Sequence, residues 1–139
     1  MNNHERAIED FTQAIRINPN YANAYHNRGN AYFRINNFEQ AIVDYTQAIR
    51  INPNLAVAYH SRGAAYGSMN NHEQAIEDFT QAIRINPNYV GAYHNRGIVY
   101  VLNGDFDMAI ADWEAVLRIN PNHVEARRNI EIARWERGW

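Results

Sequence analysis

A 34-residue period constrains this chain more than any other feature. Its four prolines are spaced at this interval, at Pro19, Pro53, Pro87 and Pro121. The phrase Ala-Ile-Arg-Ile-Asn-Pro-Asn recurs around three of them, at 14–20, 48–54 and 82–88, with a close variant at 116–122. Self-similarity at this period is typical of a stacked helical array, in which each unit buries its apolar face only against its neighbours. We therefore expect one continuous array that offers a surface for binding.

The period divides the chain into three full units and two half-units. The expected array runs over 1–139, with full units at 22–55, 56–89 and 90–123, a second half alone at 1–21 and a first half at 124–139 that forms a C-terminal capping helix. In the first unit, apolar spacing predicts helix A from about Ala22 to Arg34 and helix B from about Phe38 to Ile51. The sequence thus predicts eight helices. A start in mid-repeat leads us to expect a fragment of a longer protein or an engineered boundary.

The charge balance and the missing residue types argue against several functional classes. The net charge is −2, whereas nucleic-acid binders usually carry a strongly basic balance. Cysteine is absent, which removes disulfides, thiolate metal sites and cysteine nucleophiles. No apolar run approaches the length of a membrane span, and the first residues are not a signal sequence. We expect an intracellular, cytoplasmic protein with no nucleic-acid or membrane partner.

Small, aromatic and proline residues recur at fixed positions of each unit. The first unit has them at Tyr25, Gly29, Tyr32, Ala41, Tyr45, Ala48 and Pro53. The second has them at Tyr59, Gly63, Tyr66, Ala75, Phe79, Ala82 and Pro87, and the third at Tyr93, Gly97, Tyr100, Ala109, Trp113, Val116 and Pro121. In this pattern each unit resembles the tetratricopeptide repeat. The pentatricopeptide and half-repeat RNA-processing families are the near competitors. The resemblance implies an all-α fold, a right-handed α-solenoid of antiparallel helix pairs, whose A helices line a concave groove.

Arginine replaces the leucine that the family usually has before the helix A glycine, at Arg28, Arg62 and Arg96. Helix B carries aspartate at one repeated position, at Asp10, Asp44, Asp78 and Asp112. We expect a structural ladder of Arg–Asp pairs inside the stack, and we favour pairing across repeats over pairing within them. The expected pairs are Asp10–Arg28, Asp44–Arg62 and Asp78–Arg96. Solvated charges on the outer face are the alternative.

The resemblance places ligand on the helix A positions that packing leaves free. These positions are Asn23, His26, Asn27, Asn30, Phe33, Arg34, His60, Ser61, His94, Asn95, Ile98, Leu102, Arg128 and Asn129. Two ladders run through the set, one of His26, His60 and His94, the other of Asn27, Ser61, Asn95 and Asn129. Asparagine offers a donor and an acceptor, so it can hold an extended peptide backbone, as in some tetratricopeptide superhelices.

The histidine ladder has three interpretations. Adjacent helices stand about 8–10 Å apart, whereas zinc requires each nitrogen at about 2.0–2.1 Å. Three successive histidines cannot converge at that distance without strain, so we expect no metal and no cofactor. A pH-sensitive or hydrogen-bonding groove face is the functional interpretation. Inheritance with the duplicated unit is the simpler explanation.

The combined features predict a non-catalytic protein–protein interaction module, a scaffold that binds an extended peptide or partner segment of unknown identity in the groove. No nucleophile triad, phosphate loop or metal motif has the spacing that catalysis needs. The carboxylate clamp of the family requires two lysines, two asparagines and an arginine, and only Asn30 matches it by type. The alternative is an assembly segment that self-associates or swaps domains through the N-terminal edge, where Ile8, Phe11 and Ile15 lack a helix A. An RNA-binding array is a third possibility.

Overall fold

Residues 2–138 of the computed structural model, the part of the chain that the structure describes, form eight α-helices and no strand. The helices are α1 Asn3–Ile17, α2 Ala22–Arg34, α3 Phe38–Ile51, α4 Ala56–Ser68, α5 His72–Ile85, α6 Val90–Leu102, α7 Phe106–Ile119 and α8 Val124–Glu136. Each packs mainly on its neighbours in sequence. The even-numbered helices are the A helices and the odd-numbered ones the B helices. The predicted all-α solenoid of antiparallel pairs is confirmed, and the predicted bounds of the first pair are those of α2 and α3.

The helix ends have local causes in the sequence. The asparagine before each proline caps the C-terminus of a B helix, and Asn52, which follows α3, has extended backbone at φ −131° and ψ 92°. Within a pair, the turn from helix A to helix B uses a left-handed residue. Asn36 and Asn70 adopt φ 62° at this turn, and Gly104 adopts φ 82° in the third unit. Asparagine and glycine tolerate this region best, so the turn chemistry sets the length of helix A.

Glycine brings the two helices of each pair into close contact. A Cβ atom at Gly29 would lie 2.7 Å from the Tyr45 ring, and one at Gly63 would lie 2.9 Å from the Phe79 ring. At Gly97 the corresponding distance to Trp113 is 2.6 Å. A side chain at these positions would force the ring to shift, because the large aromatic residue of helix B lies directly on the backbone of helix A.

The arginines pair with aspartates within repeats, and the predicted pairing across repeats is wrong. Arg28 donates to both carboxylate oxygens of Asp44, at 2.8 and 2.7 Å. The same bidentate geometry joins Arg62 to Asp78 and Arg96 to Asp112. The pairs Asp10–Arg28, Asp44–Arg62 and Asp78–Arg96 are not formed.

The contact between the glycine and the aromatic ring explains why the arginines pair within repeats. Tyr45 lies on Gly29, so the residue before each of them, Asp44 and Arg28, is brought to the same contact. The remaining guanidinium nitrogen, Nη1, reaches back to the preceding B helix, where Arg28 donates to Thr12 Oγ1 at 3.1 Å. The arginine therefore does join successive repeats, but through a threonine hydroxyl.

The two end helices differ in what they bury. None of the residues of α1 is fully buried, and Ile17 is 84% exposed. At the other end, α8 packs Ala126, Ile130 and Ala133 on α7. Its outer surface carries an exposed Glu131 at the position that is glycine in the other A helices. None of the helices in residues 2–138 combines the length and apolar character that crossing a membrane requires.

Candidate functional site

A row of connected clefts follows the A helices along one side of the stack, and we call it the A-helix groove. Its first cleft, about 120 Å³, is lined by Asn30, Phe33, Tyr45, His60, Ser61 and Ala64. The second, about 230 Å³, is lined by Phe33, Ala64, Gly67, Ser68, Phe79, Asn95, Ile98, Val99 and Leu102. The third, about 210 Å³, includes Ile98, Leu102, Asn129 and Ile132. Because neighbouring clefts share Phe33, Ile98 or Leu102, they form one continuous surface.

The N-terminal end of the groove is polar. A cleft of about 520 Å³ lies there between the start of α1 and the end of α2, lined by His4, Asn30, Phe33, Arg34 and Asn36. Phe33 belongs to this polar cleft and also to the two clefts that follow it. Phe33 therefore lies between the polar N-terminal end of the groove and the more apolar clefts that follow.

The structure brings most of the predicted ligand-facing residues to these clefts, though not all of them. Asn23, Asn27 and Arg128 are exposed on the A helices but line none of the clefts described above. His26 and His94 are half-buried and turn toward the next A helix.

The two sequence ladders form one interleaved network. His26 Nε2 lies 3.1 Å from Ser61 Oγ, and Asn95 Nδ2 donates to His60 Nε2 at 2.9 Å. In both cases the histidine of one repeat meets the asparagine-ladder residue of the next, 35 residues later. Sequence reasoning treated the ladders as independent, although this constant offset was visible in the repeat. At the third step His94 Nε2 instead lies 3.5 Å from Glu125 Oε1.

Burial favours the neutral form of the three histidines. It is the main cause that lowers the pKa of His26, His60 and His94 below the ordinary 6.5. His60 accepts a hydrogen bond at Nε2, which requires that nitrogen to be unprotonated. The histidines thus serve as neutral links between A helices. In residues 2–138 no three His, Cys, Asp or Glu side chains come together as a metal site.

Asn30 and Asn95 each keep one polar atom for a ligand. Tyr45 donates its hydroxyl to Asn30 Oδ1 at 2.7 Å, and burial raises the pKa of Tyr45. The other amide atom of Asn30, Nδ2, has no hydrogen bond among residues 2–138. Asn95 donates Nδ2 to His60, and its Oδ1 likewise has no hydrogen bond there. The groove therefore presents a free amide donor on α2 and a free carbonyl acceptor on α6.

The repeats of this chain match models of known protein families. The family model described as tetratricopeptide repeat matches residues 22–55, 56–89 and 90–123. A second model, described as TPR repeat, matches residues 1–36. No curated protein matches the sequence significantly.

Solved structures share the architecture. The crystal structure of MamA is 27% identical with a TM-score of 0.92, covering 97% of this chain and 79% of MamA. The first TPR of Spaghetti (RPAP3), bound to the HSP90 peptide SRMEEVD, is 28% identical with a TM-score of 0.80, covering 83% of this chain and 91% of that domain. The Arabidopsis OM64 TPR domain is also 28% identical with a TM-score of 0.80, covering 83% of this chain and 95% of that chain.

Proposed function

The chain belongs to the tetratricopeptide repeat family, and from that premise we propose that it is a non-catalytic interaction module that binds an extended partner segment in the A-helix groove. We treat 1–139 as one array with its groove on the A helices. The observation that carries the proposal is that Asn30 Nδ2 and Asn95 Oδ1, both without a hydrogen bond among residues 2–138, belong to side chains that line two adjoining clefts sharing Phe33. An extended backbone presents carbonyl acceptors and N–H donors that need such partners.

A structural neighbour supports the class of ligand. The RPAP3 domain, 28% identical to this chain, is described as bound to a peptide of HSP90. This chain contains no lysine, so it would have to recognise any acidic group in a partner through arginine. Arg34 lines the polar cleft at the N-terminal end of the groove, where it could contact such an acidic group.

Selection of a random peptide library on the full chain tests the proposal. We expect enriched peptides with a shared motif, and we expect the double variant Asn30→Ala/Asn95→Ala to lose them. Asn23→Ala/Asn27→Ala is the matched control, because both asparagines are exposed on α2 and line none of the groove clefts. An empty selection from a folded, monodisperse sample would contradict groove binding.

Self-association through α1 is the second candidate. It is favoured by the exposed Ile17 and by a helix without fully buried residues. It lacks a complementary surface on α8, where Glu131 occupies the position at which Gly29, Gly63 and Gly97 receive an aromatic ring. Light scattering over a wide concentration range distinguishes the two candidates, since only self-association requires the mass to grow.

A further inference from the structure

Gly67 differs from the helix A glycines that receive an aromatic ring. A Cβ atom there would lie 3.9 Å from Val99 Cγ2 and 4.0 Å from Ala75 Cβ, which is ordinary van der Waals contact. Gly67 has no positive φ either, so neither packing nor backbone conformation requires glycine. Glycine inside a helix is unfavourable relative to alanine. The missing side chain therefore has no structural explanation within the helix.

The missing side chain opens the second cleft of the groove. The corresponding residues of the neighbouring repeats, Phe33 and Val101, both have bulky side chains. At Gly67 the space remains open as part of a cleft of about 230 Å³. Phe33, Phe79, Ile98 and Asn95 are among the residues that line it.

The side chains around the cleft become less polar along the array. At one groove position Asn30 is followed by Ala64 and then Ile98, which is 38% exposed. At another, Arg34 is followed by Ser68 and then Leu102, which is 62% exposed. Exposed aliphatic residues that line a cleft mark a binding surface more strongly than the same residues scattered singly.

A cation stands beside the apolar cleft. Arg34 is exposed, and no carboxylate lies within ion-pair distance of it among residues 2–138. It lines the polar cleft that shares Phe33 with the cleft over Gly67. An apolar side chain in one cleft and a carboxylate in the other would therefore both lie next to Phe33.

We propose that the partner segment anchors in the groove through one bulky aliphatic or aromatic side chain placed over Gly67, with a nearby carboxylate facing Arg34. This inference rests on the proposed function and specifies the chemistry of the ligand. The apolar walls supply the affinity, and the charge of Arg34 selects the adjoining residue.

Titration of the full chain with small amides, followed by ¹⁵N NMR, tests the anchor. N-acetyl-leucinamide should shift the backbone amides of 64–68 and 98–102, whereas N-acetyl-alaninamide should shift them far less. Gly67→Val fills the cleft with a valine side chain, which is the residue found at the same repeat position in the next unit, Val101. We expect this variant to weaken leucinamide binding about tenfold or more while its melting temperature stays the same or rises. Equal binding by Gly67→Val, or shifts confined to other helices, would overturn the inference.

A second titration tests the carboxylate. N-acetyl-Asp-Leu-amide should bind several-fold more tightly than N-acetyl-Asn-Leu-amide, and Arg34→Gln should remove the difference. Arg128→Gln is the control, since Arg128 is an exposed arginine outside the clefts. A preference that survives Arg34→Gln would overturn this part of the inference.

The peptide library separates the inference from the function on which it rests. Peptides that are enriched on the native chain and retained equally by Gly67→Val would leave groove binding intact and overturn the anchor. An empty selection on the native chain would contradict the proposed function itself. Peptides that share a bulky apolar residue and are lost on Gly67→Val would support both.

Discussion

Arg62 donates two hydrogen bonds of 2.8 Å to Asp78, sixteen residues later, and a third of 3.2 Å to Thr46 in the preceding helix. One guanidinium thus connects three successive helices, α3, α4 and α5. Its carboxylate partner is 4% exposed, and burial raises the pKa of Asp78 despite the arginine beside it. The carboxylate is therefore well removed from water, and the Arg62 side chain that neutralises it is 19% exposed.

Removing Asp78 should be costly because it strands the charge of Arg62. We expect Asp78→Ala to lower the free energy of unfolding by about 3–5 kcal/mol, measured by urea denaturation. Asp10→Ala is the matched control, since Asp10 occupies the same repeat position but is exposed and makes no ion pair among residues 2–138. We expect that control to change stability by less than about 0.5 kcal/mol.

The double variant Arg62→Leu/Asp78→Ala completes this test. It removes both charges and restores the leucine that the family usually has, so it should recover most of the stability lost by Asp78→Ala. A double variant as unstable as the single one would show that the cost lies in lost packing.

Two glycine substitutions in A helices should change the stability of the protein in opposite directions. Gly97→Ala places a Cβ atom 2.6 Å from Trp113, and overpacking of this kind costs about 1–3 kcal/mol. Gly67→Ala meets only ordinary contacts and should gain up to about 1 kcal/mol from helix propensity. Thermal unfolding should therefore show a lower melting temperature for the first and a higher one for the second. A shift of the same sign in both would refute the distinction between the two glycines.

Acidification should destabilise the array through its groove histidines. The folded-state pKa values of His26, His60 and His94 lie below the ordinary 6.5, so the unfolded chain takes up protons first as the pH falls. Their contribution to stability is complete above pH 6.5 and is lost progressively below it. Denaturation at a series of pH values should show this slope, and the variant with all three histidines replaced by glutamine should flatten it. His4→Gln is the control, because His4 lies outside the network. A slope unchanged in the triple variant would assign the effect to other groups.

A new contact between copies should follow from two substitutions on α8. Ile130→Arg/Glu131→Gly gives α8 the arginine–glycine pair that receives aspartate and an aromatic ring in the other A helices. We expect this variant to grow in mass with concentration, because Asp10 and Phe11 of another copy would match the new pair. Circular dichroism should show retained helix, and Asp10→Ala added to the variant should suppress the growth. Equal masses for the native chain and the variant would rule out this complementarity.

The fold was predictable because its determinants are local. The asparagine–proline breaks, the glycine and asparagine turns and the apolar spacing lie within each unit, and they set the bounds of α2 and α3 to the residue. The repeat strengthens the prediction, because every unit contains the same sequence pattern.

The pairing of Arg28 could not be read in the same way. Asp10 lies 18 residues before it and Asp44 lies 16 residues after it, each on an adjacent helix, and the choice depends on how two helices cross. That crossing is set by the contact of Tyr45 with the backbone of Gly29. The hydrogen bond between Asn95 and His60 was missed for a similar reason, because it joins side chains 35 residues apart on neighbouring A helices. The groove residues remain predictions that ligand binding must test.

The location of each ion pair within one repeat has an evolutionary consequence. Arg62 and Asp78 lie inside the same 34-residue unit, so copying or deleting that unit adds or removes both charges together. No whole-unit change leaves a buried aspartate without its counter-ion; at most it alters a hydrogen bond from arginine to threonine. The gene segment for 56–89 can therefore be duplicated or lost without an electrostatic penalty, and arrays of different length remain accessible to selection.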